Sequence, residues 1–195
     1  MNLKTLPAAA LAAAILAAVS VWAFAALPGL LIWAAFIGWA SFDQSGANRK
    51  AFLTSSVCMI FGVIMAWIVA VSVAGEWLHL RSSVSSALAA GVASFFIVLA
   101  SRFELLSNVP ATFYGFASAF AFVTLAPNAF SMAAMTRGNL NNVLLVVPIS
   151  LLIGSGLGAL HGYLAGTLTA PEHLAPGIHT VRLSAFAKSG PGIVN

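Results

Sequence analysis

The chain has 195 residues, 61% of them apolar and only 6% charged, with a formal net charge of +4. A soluble domain carries roughly 25% charged residues, so this composition excludes a globule surfaced by water and points to one surfaced by lipid. The few Lys and Arg lie singly or in pairs between apolar runs, which argues against the clustered basic face of a nucleic-acid binder. Cys58, the only cysteine, sits inside an apolar run, which leaves no disulfide framework and no thiolate metal site, and packing as its expected role.

In chain order, apolar runs cover 6–27, 29–42, 51–74, 85–101, 111–126 and 143–168. About 20 apolar residues match a hydrocarbon core near ~30 Å at ~1.5 Å per residue. The first run, with Lys4 before it and Ala23-Phe24-Ala25 after it, imitates a cleaved secretory signal. It is read instead as a retained helix, because it recurs later in the chain. The runs at 51–74 and 143–168 are long and free of Asp, Glu, Lys and Arg. Those at 29–42 and 111–126 are short, with Pro28 and Pro110 just before them, where a proline suits a helix start.

Two offsets organise these runs. At 77 residues, Phe36-Ile37-Gly38-Trp39-Ala40-Ser41 falls on Phe113-Tyr114-Gly115-Phe116-Ala117-Ser118, and Ala10-Leu11-Ala12-Ala13 on Ala87-Leu88-Ala89-Ala90. At 92 residues, Gly62, Ala66, Ala70 and Ala74 fall on Gly154, Gly158, Gly162 and Gly166. The second half therefore reads as a copy of the first with 15 residues inserted within 126–142.

Loop charge sets the number of crossings. With six, one side of the membrane holds Lys4, Arg49, Lys50, Arg102, Arg182 and Lys188, and the other only Arg81 and Arg137. If 29–42 and 111–126 dip in and return, the split is four against four. Cytoplasmic loops carry the excess of Lys and Arg, so six spans with both termini cytoplasmic are expected. Three spans per copy is an odd number, so the copies must be inverted. The expected fold is an all-α polytopic membrane protein in one six-helix domain, 1–168, with repeats over 6–74 and 85–168. A polar, Pro- and Gly-punctuated cytoplasmic tail over 169–195 follows; His173 and His179 in it are read as solvated rather than metal-binding.

Ala34, Gly38 and Ser41 share one face of the first short helix, and Ala111, Gly115 and Ser118 share the matching face of the second. Small residues let helix backbones approach closely in lipid, which makes these packing faces. Short helices in matching positions of inverted halves are also a pointer to a binding pathway. On that reading Phe36, Trp39, Phe113 and Tyr114 add aromatic constrictions, while Ser41, Thr112 and Ser118 add hydroxyls. The row Gly154, Gly158, Gly162 and Gly166, with Gly62 and Ala66, is read as helix packing, within the chain or between copies. His161 is the one plainly intramembrane ionisable side chain, either lining a pathway or bonding a backbone carbonyl across a helix contact. No span contains Asp or Glu, so a carboxylate proton relay or charged cation site has no material, and no nucleophile–base set suggests an enzyme. No cofactor is implied.

Pro28 to Phe42 and the stretch Asn108-Val109-Pro110-Ala111-Thr112-Phe113-Tyr114-Gly115 resemble the small bacterial inner-membrane proteins of the domain of unknown function 1097. The resemblance covers about residues 8–167, with Val109 to Phe113 its most distinctive part. Ala111 stands where glycine is expected, and loop 127–142 is longer than usual. The resemblance implies a multi-pass inner-membrane protein and carries no activity or site residue. Two readings follow: a channel or facilitator for a small neutral or weakly polar solute, or an accessory subunit docked through glycine-rich helices. Self-association is expected under either.

Overall fold

The computed structural model describes residues 5–169, so the expected tail, with His173 and His179, lies outside the described residues. The described part is helical, without a β-strand. In order the helices are α1 (Thr5–Ala25), α2 (Ile32–Gln44), α3 (Arg49–Ala74), α4 (Ser82–Ala100), a 3-10 turn (Glu104–Leu106), α5 (Val109–Leu125), α6 (Met132–Thr136) and α7 (Val143–Leu168).

Four of them, α1, α3, α4 and α7, are long and apolar enough to cross a membrane, and α5 is a shorter apolar helix. Large apolar side chains such as Trp22, Phe95 and Leu125 stand outward. In water that surface would drive association, and in a bilayer it is the solvated one. The chain is an all-helical membrane protein.

Polar side chains start the helices where the chain leaves a loop. Asn48, Asn108, Ser131 and Asn142 accept from backbone N–H groups in the first turns of α3, α5, α6 and α7. Each satisfies a donor that the helix itself leaves unpaired. Pro110 lies in the first turn of α5 as expected. Pro28 does not start α2: Gly29, at φ +94°, turns the chain in the left-handed region, and the helix begins at Ile32.

The core is a diamond of α2, α3, α5 and α7. α2 packs on α7 and α5 on α3, while α3 and α7 also touch each other. The outer helices follow the same rule, α1 lying mainly on α7 and α4 on α3. Leu31 donates its N–H to Ser150 Oγ, and Phe42 sits against Gly158, so α2 and α7 run in the same direction. Cys58 donates to the Leu105 carbonyl before α5, and Trp67 Nε1 to the Met135 carbonyl beyond it, so α3 and α5 are parallel too.

Four glycines make these contacts. A Cβ at Gly38 would overlap the carbonyl oxygen of Leu151, and one at Gly154 that of Ala35. On the other pair, a Cβ at Gly62 would overlap the carbonyl of Thr112, and one at Gly115 that of Met59. Each crossing is therefore reciprocal, one glycine from each helix against the partner's backbone. This is the geometry of Cα–H···O contacts, worth about 0.5–1 kcal/mol each. Ala66 is buried at 1% exposure beside them, and Gly158 receives Phe42 and Trp39. Gly162 and Gly166 meet no described atom within 4 Å, so the close contact expected of them is not made within the described chain.

The segment 126–142 is more than a loop. Its helix α6 inserts Met135, 1% exposed, into the main core, where Trp67 bonds its carbonyl. Gly38→Ala or Gly115→Ala should cost about 1–3 kcal/mol by forcing the crossing apart. Gly91→Ala, where a Cβ meets nothing, should be neutral or slightly stabilising. Thermal unfolding of the detergent-solubilised protein checks this, and equal shifts for Gly38 and Gly91 would refute it.

Candidate functional site

α2 and α5 are antiparallel, because the end of one meets the start of the other. Tyr114 Oη donates to Gln44 Oε1 at 2.7 Å, and Asn108 Nδ2 to Ser45 Oγ at 2.7 Å. A cavity opens at each end of this pair. One, of about 400 Å³, is lined by Ser45, Asn48, Lys50, Thr54, Ser107 and Asn108, among others. The other, of about 430 Å³, lies between Gly29–Leu31, Phe122 and the segment 126–141.

Behind each cavity stands a buried hydroxyl. Ser45 Oγ donates to the Ser41 carbonyl, and one turn deeper Ser41 Oγ and Ser55 Oγ lie 2.7 Å apart. At the other end Ser118 lies one turn deeper than Phe122 and is 1% exposed, with no hydrogen-bond partner for its Oγ. Among the described residues its hydroxyl is one of three buried side-chain oxygens without a partner, with Ser20 and Ser56. Thr112 turns its hydroxyl back to the Asn108 carbonyl within α5, and Ser155 shares its proton between the carbonyls of Gly38 and Leu151. Back-bonding of this kind removes the cost of burying a hydroxyl and uses up its donor.

The expected pathway residues thus divide. Ser41, Thr112 and Ser118 are buried in the core, and Tyr114 joins the polar end of the α2–α5 pair. Gly38 and Gly115 belong to the crossings, where no open space remains. Phe36 faces outward from α2. Trp39 turns toward the α1–α7 side, its ring 5.2 Å from that of His161. Phe113 packs edge-on against Phe116, their centroids 6.3 Å apart.

His161 Nε2–H donates to the carbonyl of Ala9 in α1 at 3.1 Å. It ties an outer helix to the core, away from both cavities. No group of three or more His, Cys, Asp or Glu among the described residues could hold a metal ion.

Two cavity features were missed by inspection of the sequence. Ser55 lies in a Ser-Ser pair with no pattern to distinguish it, Asn48 stands outside every motif, and Asn108 enters only as the first residue of the family-like stretch. An Asn directly before a long apolar run was the available signal, since that is where a helix needs a cap.

The family model for proteins of unknown function DUF1097 matches residues 10–166. The chain belongs to the DUF1097 family. The match runs from the first turns of α1 nearly to the end of α7, so both cavities and all four crossing glycines lie in the DUF1097 region. No curated protein and no solved structure matches the chain.

His161→Leu should lower stability by about 1 kcal/mol through loss of the bond to Ala9. The readout is thermal unfolding together with protease susceptibility of α1. An unchanged melting curve would assign the tie no energetic weight.

Proposed function

We propose that this DUF1097 protein is a bacterial inner-membrane facilitator for a small solute, built of two inverted three-helix repeats that cross the membrane six times. The repeats are α1–α2–α3 and α4–α5–α7, with both termini cytoplasmic. What carries the reading is that the two cavities are made of repeat-equivalent positions at opposite ends of one helix pair. At the offset of 77 residues, Leu30, Leu31 and Ser45 correspond to Ser107, Asn108 and Phe122. Leu30, Leu31 and Phe122 line one cavity, and Ser107, Asn108 and Ser45 the other. Inversion turns one mouth into the other, as alternating or symmetric pathways require.

Two further observations support it. Gly38 and Gly115 correspond at one offset and Gly62 and Gly154 at the other, and the crossings of Gly38 with Gly154 and of Gly62 with Gly115 each join one half to the other. The cavities also shorten the barrier that α2 must cross, which at 13 residues is only about 20 Å long. Ser41 and Ser118, each 1% exposed, lie between the mouths, so this conformation is closed and transport requires α2 and α5 to part. Gly156, Gly162 and Gly166 on the exposed part of α7 meet no atom of the described residues within 4 Å, which favours self-association or an accessory role for that face.

Topology is tested by single cysteines read with an impermeant maleimide. Ser45→Cys should label only from the cytoplasmic side and Ser131→Cys only from the opposite side, against wild type, whose Cys58 is fully buried. Labelling of both from one side would overturn the six-span reading. Proteoliposome swelling against glycerol, urea and similar solutes tests transport. The expected result is permeability above empty liposomes, reduced about tenfold in Ser41→Val with Ser118→Val, the equivalent of ~1.4 kcal/mol of lost hydrogen bonding. Permeability equal to that of empty liposomes for every solute would leave the accessory role standing.

A further inference from the structure

The two mouths correspond in position and differ in chemistry. In the Ser45 mouth the basic residue is already answered: Lys50 Nζ lies 3.1 Å from Glu104 Oε1, the single ion pair among the described residues. In the Phe122 mouth the basic residue is Arg137, which has no carboxylate within ion-pair distance among the described residues. None of the described acids Asp43, Glu76 and Glu104 lines that cavity.

Of the other polar side chains there, Asn128, Ser131, Asn139 and Asn141, Ser131 spends its proton on the Asn128 carbonyl. Asn139 uses its Oδ1 to accept from the Asn141 N–H, which leaves its amide NH₂ available. Asn142 Nδ2 donates to the Arg137 carbonyl at 2.7 Å and fixes the backbone from which the guanidinium projects. A guanidinium without a carboxylate partner among the described residues, beside the amide N–H groups of Asn139, suits an oxyanion, and the planar fork of Arg matches a carboxylate in particular.

The other wall is apolar. Leu30, Leu31, Phe122 and Leu140 line it, where the repeat-equivalent positions Ser107, Asn108, Ser45 and Asn48 line the opposite mouth with polar groups. A ligand held by both walls has one anionic end and a short hydrocarbon body. We infer that the cavity between α2, α5 and the segment 126–141 is a recognition site for a short-chain carboxylate, with Arg137 and Asn139 at the carboxylate and Leu30, Leu31, Phe122 and Leu140 around the chain. The 15-residue insertion, which supplies Arg137 and Asn139, is then what gives the otherwise symmetric pathway a preferred loading side. The site names a solute class for the pathway proposed above and rests on that reading only in this respect, because binding is measurable without transport.

The test uses the full chain in phosphatidylcholine nanodiscs with butyrate as probe, read by saturation-transfer NMR and calorimetry. Butyrate should bind about tenfold or more tightly than butyramide, which has the same body without the charge. Arg137→Gln should remove that preference, Arg137→Lys should restore part of it, and Leu140→Ala should weaken butyrate more than acetate. The main-chain bond from Asn142 survives these Arg137 changes, and an unchanged melting temperature confirms the fold. Equal binding of butyrate and butyramide, or butyrate binding unchanged in Arg137→Gln, overturns the inference. Inorganic phosphate binding as tightly as butyrate would show a general anion site, and loss of butyrate binding in phosphatidylglycerol nanodiscs would show a lipid headgroup site; either also overturns it. Butyrate binding as expected with proteoliposomes no more permeable than empty liposomes to butyrate or to the neutral solutes would uphold the site and remove the transport reading.

Discussion

The close approach of helix backbones at two glycine pairs is the constraint on which this structure rests. Inside a bilayer the lipid tails are as apolar as leucine, so burying apolar surface between helices gains little, and van der Waals contact at short range must hold them. Gly38 with Gly154 closes α2 on α7, and Gly62 with Gly115 closes α5 on α3. Each crossing brings a glycine onto a backbone carbonyl of the partner, and no larger residue fits there. Once the two pairs are set, α3 and α7 meet between them, and α1 and α4 are left as outer helices on the flanks.

The same closeness dictates where polar chemistry can sit. At the crossings, Thr112 turns its hydroxyl back to a carbonyl of its own helix, and Ser155 shares its proton between its own helix and the Gly38 carbonyl of α2. Farther along, where α2 and α5 end, the helices diverge and two cavities open. Capping residues are concentrated there for a local reason, since each helix start needs a side-chain acceptor. Asn48 and Asn108 are cap and cavity lining at once. The polar mouths are therefore a consequence of how the helices begin and end, and residues such as Arg137 and Lys50 then differentiate them.

His161 illustrates the risk of reading function from an intramembrane ionisable group alone. Its ring bonds the Ala9 carbonyl and stands beside Trp39, holding α1 to the core. The groups with unmet chemistry lie elsewhere: Ser118, buried without a partner, and Arg137, without a carboxylate. Neither is conspicuous as a residue type, and both gain interest only from their surroundings.

By itself the sequence determined the helical membrane class, the positions of the long helices and the family. Those properties follow from composition, run length and spacing, which are local and survive any arrangement of the helices. It also marked Gly38 and Gly115 on two small-residue stripes, and the row Gly154, Gly158, Gly162 and Gly166 with Gly62 and Ala66, as packing positions, because glycine in an apolar helix is costly unless something comes close. Only the tertiary structure decided which glycine meets which helix, that Gly162 and Gly166 meet none within the described chain, and that Phe36 faces outward. It alone folded 126–142 into a helix that buries Met135 and presents Arg137 to a cavity. The reason is that a residue's spacing along its own helix fixes its face, whereas the partner on that face is set by the crossing of another helix far away in the chain.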